Sequence, residues 1–218
     1  MKLVVNNVSK QIRNRTILSN INLHLTSGMI YGFVGPSPNG SGKTMLFRAI
    51  SGLMKPSSGE VWLDGKLLHR DMRVLPNLGI VIENAGLYPE LSGFNNLKLL
   101  AKLNGKIDDN DIRETIKKVG LDPNDRRPFR KYSLGMKQRI VLAQAIMEKP
   151  DILMLDEPTN ALDEDGIRDI RNIILEEKSR GALVLIASHN KEDIELLVDK
   201  VFMVKNGFVS ERGGCNEA

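Results

Sequence analysis

Four short stretches of this sequence hold side chains that can work on one chemical problem. In Gly40-Ser41-Gly42-Lys43-Thr44, small residues precede an ammonium and a hydroxyl, between an apolar run and a segment with helical spacing. That order suits a phosphate cradle: glycines let backbone N–H groups turn toward phosphate oxygens, and a helix N-terminus adds partial positive charge. Lys43 can reach the β and γ phosphates, and Thr44 can ligate Mg²⁺. Asp156 and Glu157 end a second apolar run, Ile152 to Leu155. One carboxylate there can hold a divalent cation while the next orients or deprotonates a water. His189 follows a third apolar run, Ala182 to Ala187, and Ser133-Leu134-Gly135-Met136 stands before a predicted helix. A serine hydroxyl and unobstructed glycine N–H groups at a helix start can also face phosphate.

Each stretch also has a plainer reading. Two acids after a strand are common, Ser133 alone reads as a helix N-cap, and a lone histidine is more often hydrogen-bonded scaffold than ligand. The glycine-rich segment departs from Gly-x4-Gly-Lys-[Ser/Thr], because Ser37 stands five before Gly42 and the expected glycine is Gly35. The loop therefore carries two extra residues, with Gly35-Pro36-Ser37-Pro38-Asn39-Gly40 as an enlarged first turn. Prolines on both sides of Ser37 remove N–H donors and stiffen it.

Those residues need elements to hold them. Leu3 to Val8, the alternating Ile21, Leu23 and Leu25, and Glu60 to Leu63 before the Asp64-Gly65 turn read as antiparallel strands. Met29 to Val34 reads as the strand before the phosphate loop, and Thr44 to Ile50 as the helix after it. Leu78 to Ile82, Ile152 to Leu155 and Ala182 to Ala187 are apolar on both faces, as strands buried in a parallel sheet are. Ile167, Ile170, Ile173 and Ile174 mark a crossover helix stopped by Gly181, and Asn206-Gly207 between Val201–Val204 and Phe208–Val209 marks a hairpin. Between them, Asn95 to Asn104 and Asp111 to Val119 read as helices. The predicted organisation is one domain: 1–83 and 151–210 form an α/β core plus an antiparallel β subdomain, 84–150 an inserted helical subdomain, and 211–218 a polar tail.

The bulk numbers fit an ordinary globular chain of 218 residues with 41% hydrophobic and 27% charged residues. No apolar stretch approaches the roughly 18 residues a membrane-crossing helix needs, so the chain is not itself a pore. One cysteine, Cys215, excludes an intrachain disulfide and suits a reducing cytoplasm. The net charge of +4 is compatible with a polyanionic ligand. The basic stretch from Arg126 to Arg139 has few aromatics and matches no nucleic-acid module, so no nucleic acid is expected.

Taken together, the phosphate loop, Tyr132-Ser133-Leu134-Gly135-Met136-Lys137-Gln138-Arg139, the strand ending at Asp156-Glu157, Asn160-Ala161-Leu162-Asp163 and His189 resemble the ATP-binding cassette (ABC) ATPase family over essentially the whole chain. The wording Tyr31-Gly32-Phe33-Val34-Gly35 and Glu157-Pro158-Thr159-Asn160 looks most like the bacterial bacitracin and lantibiotic exporter branch. The resemblance implies a P-loop nucleoside triphosphate hydrolase fold of the ABC type, with a mostly parallel core sheet.

It also implies a homodimer or pseudo-symmetric dimer with two ATP molecules at its interface, and a separate transmembrane permease chain. The protein would then be cytoplasmic and peripheral on the inner face of the membrane. ATP would lie against Gly35, Asn39, Gly40, Ser41, Gly42, Lys43, Thr44 and Met45, with Ile12 where an aromatic usually stacks on adenine. Ser133, Gly135, Met136 and Asp163 would come from the opposite chain. Mg²⁺ would take Thr44, Asp156 and Glu83, the last standing where most members have glutamine. Glu157, His189 and Lys43 would be catalytic. A soluble ABC ATPase of cofactor assembly and a non-hydrolysing nucleotide-binding regulatory subunit stay open as alternatives.

Overall fold

Alternating burial starts the chain. On β1 (Lys2–Ile12) and β2 (Arg15–Thr26), Leu3 and Val5, and Ile21, Leu23 and Leu25, are buried while the residues between them reach toward solvent, the period of two of a strand with one face covered. A computed structural model describes residues 1–35, 42–82 and 86–212. Asn39, Gly40, Ser41, Glu83 and Cys215 lie outside these described residues.

β3 (Ile30–Val34) leads toward α1 (Lys43–Ser51), and β4 (Ser58–Leu63) turns through Asp64-Gly65 into the two-residue β5 (Lys66–Leu67). β1 pairs antiparallel with both β2 and β4, giving a four-stranded sheet in the order β2-β1-β4-β5. The next strand, β6 (Leu78–Val81), is followed by α2 (Gly93–Asn104), α3 (Asp109–Lys118), a single 3-10 turn at Phe129–Lys131 and α4 (Leu134–Ile146). Caps set these helices: the Ser92 and Ser133 hydroxyls accept from the amides of Asn95 and Met136, and Asp108 forms a reciprocal capping box with Asp111. Then come β7 (Ile152–Asp156), α5 (Glu164–Ser179), β8 (Leu183–Ala187), α6 (Lys191–Leu197), β9 (Lys200–Lys205) and β10 (Phe208–Glu211).

The second sheet has six strands in the order β10-β9-β3-β8-β7-β6. All its pairings are parallel except the β9–β10 hairpin, where Asn206 and Gly207 both hold positive φ, as a tight two-residue turn between twisted strands requires. Its central strands are apolar throughout because both faces are covered. Met154, Leu183 and Leu185 face the core shared with α1 and the antiparallel sheet, whereas Leu153, Val184 and Ile186 face the core shared with α2 to α5.

Several predicted boundaries shift. β1 and β2 extend to Ile12 and start from Arg15, and β10 runs to Glu211, into the stretch expected to be a tail. Gly135 lies inside the first turn of α4 rather than before it. β5 and α6 carried no sequence expectation; one is two residues long and the other is the seven-residue, charge-rich Lys191–Leu197.

Candidate functional site

The register of the parallel strands sets the site. Phe33 at the end of β3 and Asp156 at the end of β7 are both paired with Ala187 at the end of β8. Whatever follows those three strands therefore meets at one edge, the carboxyl edge where ligands of open α/β sheets bind. There the chain delivers Gly35, Glu157 and Ser188-His189.

At the start of α1, Gly42 holds φ 96°, a left-handed conformation that glycine adopts without a Cβ penalty. With no side chain, it makes no side-chain cap at this helix N-terminus. Lys43 is the first residue of the helix and is only 3% exposed, and Met45 is half-buried in the same turn. The Thr44 hydroxyl donates to Asp156 Oδ2 at 2.5 Å, tying the helix to β7.

Glu157 holds φ 52°, left-handed for a residue with a Cβ, and its amide donates to the Ala187 carbonyl at 2.8 Å. Such strain persists where the surrounding structure enforces it, often at reacting centres. The carboxylate is used unequally. Oε2 lies 2.7 Å from His189 Nδ1 and accepts from the His189 amide at 3.3 Å. Oε1 is buried and has no hydrogen-bond partner among the described residues. The His189 side chain is 52% exposed, so the rest of its ring remains accessible.

The Ser133 segment stands beside this edge. Ser133 and Asp163 act as N-caps of α4 and α5, accepting from Met136 and Gly166. A Cβ on Gly135 would meet the Ala161 carbonyl and Leu162 at 3.4 Å, so the first turn of α4 lies against Asn160–Asp163. Gln138, given no role in the sequence reading, reaches from α4 to the carbonyls of Glu157 and Pro158 at 3.4 and 3.2 Å. Its place in the Tyr132–Arg139 run was the available signal. Just ahead of Ser133, burial pushes the Tyr132 phenol up, and its oxygen accepts from the Gly93 amide at 3.2 Å, joining α2 to the α4 cap.

The structure thus gathers Lys43, Thr44, Asp156, Glu157 and His189, and gives Ser133, Gly135, Met136 and Asp163 a second, neighbouring surface. Ile12 ends β1 and is 43% exposed, an aliphatic surface with no aromatic ring. The basic residues mostly have local partners: Arg127 pairs with Asp125, Arg130 with Glu90, and Arg139 with Asp169 and the Val119 carbonyl.

A hydroxyl and a carboxylate oxygen 2.5 Å apart are hard donors that fit Mg²⁺, which binds through one or two protein ligands with phosphate oxygens and water completing its shell. Among the described residues there is no cluster of three or more His, Cys, Asp or Glu that could hold a metal ion.

Fold and edge define the class, a P-loop nucleoside triphosphate hydrolase fold. The ABC transporter family profile matches residues 18–160. The chain is 48% identical to the uncharacterized ABC transporter ATP-binding protein YybJ of Bacillus subtilis (strain 168), over 92% of this chain and 91% of that one. It is 37% identical to the lantibiotic transport ATP-binding protein SrtF of Streptococcus pyogenes, covering 94% and 87%, and 37% identical to the bacitracin transport ATP-binding protein BcrA of Enterococcus faecalis, covering 97% and 68%. Among solved structures, the dimeric MJ0796 cassette matches with a TM-score of 0.85 at 25% identity, over 97% of this chain and all of that one. The chain belongs to the ABC transporter family, as one of its ATP-binding subunits.

Proposed function

We propose that this chain hydrolyses ATP in a two-chain nucleotide clamp and thereby drives a separate membrane-spanning chain, at the inner face of the cell membrane, that exports a peptide antibiotic or similar amphipathic compound. The observation that carries the hydrolytic part is Glu157, with Oε2 fixed by His189 at 2.7 Å and Oε1 buried without a partner among the described residues. A carboxylate held on one oxygen presents the other as a proton acceptor.

In this reading Lys43 sets its ammonium against the β and γ phosphates, and the first turn of α1 lends amides to the same oxygens. Thr44 and Asp156, with Glu83, would hold Mg²⁺, which supplies charge neutralisation on the phosphates when bound. Glu157 Oε1 takes the proton of the attacking water, and His189, anchored through Nδ1, presents the other edge of its ring to the terminal phosphoryl group. Ser133 of a second copy, with Gly135, Met136 and Asp163 around it, would close over the same phosphate. Ile12 would face the adenine.

The dimer is supported by the exposed α4 cap and by the dimeric state of the MJ0796 cassette. Transport and cargo class rest on what SrtF and BcrA are named for. A separate spanning chain accords with the finding that no helix among the described residues is long and apolar enough to cross a membrane. Phosphate release by the purified chain in MgATP tests the hydrolytic reading. Glu157→Gln keeps the size and removes the proton acceptor, so turnover should fall by roughly 10²- to 10⁴-fold while ATP binding persists. Undiminished turnover in that variant contradicts it.

A further inference from the structure

Asp193, on α6, is a carboxylate with no solvent exposure at all. A buried charge is tolerated only when paired and hydrogen-bonded, and Asp193 is both. Its Oδ1 accepts from Arg171 of α5 at 2.8 Å, and the Arg171 side chain, 14% exposed, also reaches Glu192 at 3.0 Å. That ion pair alone would staple α5 to α6. The other oxygen, Oδ2, does something else: it accepts from the Thr159 hydroxyl at 2.5 Å and from the Ser188 hydroxyl at 3.4 Å. Neither hydroxyl is needed to neutralise the charge. Thr159 lies two residues beyond Glu157 and immediately before Asn160–Asp163, and Ser188 immediately precedes His189. One buried carboxylate oxygen therefore grips the chain on both sides of the Glu157–His189 contact.

We propose that Asp193 is a positioning residue for ATP hydrolysis, coupling the Glu157 turn and the Asn160–Asp163 segment to the His189 turn so that the two move as one unit. The coupling rests on the hydrolytic reading above. Lys43 and Thr44 sit on a different element, α1, whereas Thr159 and Ser188 flank Glu157 and His189, so the network acts on the alignment of Glu157 with His189 more than on nucleotide affinity. A misplacement of about 1 Å at a reacting centre can cost as much as 10²-fold in rate.

Thr159→Val tests this by removing one hydroxyl while keeping a similar side-chain shape and the Arg171–Asp193 pair. Its kcat should fall about tenfold or more with KM for ATP within about twofold, and Thr159→Ser should recover most of the rate. Ser188→Ala cuts the same link from the histidine side and should give a smaller loss, again in kcat only. Unchanged kcat in both Thr159→Val and Ser188→Ala, or a loss of kcat in Thr159→Val that serine does not rescue, overturns the coupling. Glu157→Gln separates the two failures. If the unmodified chain turns over and Glu157→Gln does not, intact kcat in the hydroxyl variants rejects the coupling alone; if the unmodified chain shows no turnover, the hydrolytic reading fails and the coupling with it.

Discussion

His189 touches Glu157 twice, through Nδ1 at 2.7 Å and through its amide at 3.3 Å, and only the first contact depends on the side chain. His189→Ala should therefore leave the turn intact and free the carboxylate, lowering phosphate release by roughly 10²-fold, with ATP binding retained in a filter or fluorescence assay. Retained turnover in that variant would remove the histidine from the mechanism. Thr44 and Asp156 were legible in the sequence because a lysine-threonine pair after glycines and an acid at a strand end each have a local spacing. Asp193 was not. It sits in the acidic run Glu192-Asp193, which reads as a solvated face, and its partners Arg171 and Thr159 lie 22 and 34 residues away, a proximity only the packed fold creates.

Helices and strands meet this site through close contacts that leave no room for change. A Cβ on Gly79 of β6 would fall 2.0 Å from the Ala145 carbonyl of α4, so Gly79→Ala must push the helix that carries Ser133 off the sheet. We expect a loss of about 1–3 kcal/mol in chemical denaturation, and a stability equal to that of the parent would contradict this packing. At α3, Asp108 accepts from the amides of Asp111 and Asn110, which hold its carboxyl below the usual value. The sign follows: with the native value depressed, the cap stabilises the fold above the unfolded carboxylate pKa, and this contribution is lost as pH falls through the native one. Asp108→Asn should flatten that part of the acid limb in thermal melts; an unaltered limb would show that the cap is not titrating.

The long periodic elements were readable because their burial patterns repeat: the alternation on β2, the unbroken apolar β7 and β8, the isoleucine stripe of α5. α6 was missed because seven residues give too short a pattern for periodicity to speak. Gly135 was placed before α4 but lies in its first turn, where even a Cβ would meet Ala161 and Leu162 at an ordinary contact distance of 3.4 Å.

For the molecule as a whole, the proposed clamp makes the site on one chain half of an arrangement. Lys43, Thr44 and Glu157 gather at the sheet edge, while Ser133 caps α4 on a surface where Leu134 is 68% exposed. An exposed leucine beside a helix N-terminus suits a surface that closes on another chain, which in the proposed clamp is a second copy. A purified complex should also hold a chain with several apolar spans of about 20 residues each; isolation from membranes with no such chain would detach this subunit from transport. The central claim is the clamp itself, and sedimentation velocity of Glu157→Gln measures it most directly. With MgATP the protein is predicted to sediment as a dimer, and without nucleotide, or with Ser133→Ala added, as a monomer. A species that binds MgATP and stays monomeric, or a dimer indifferent to nucleotide, would contradict the account.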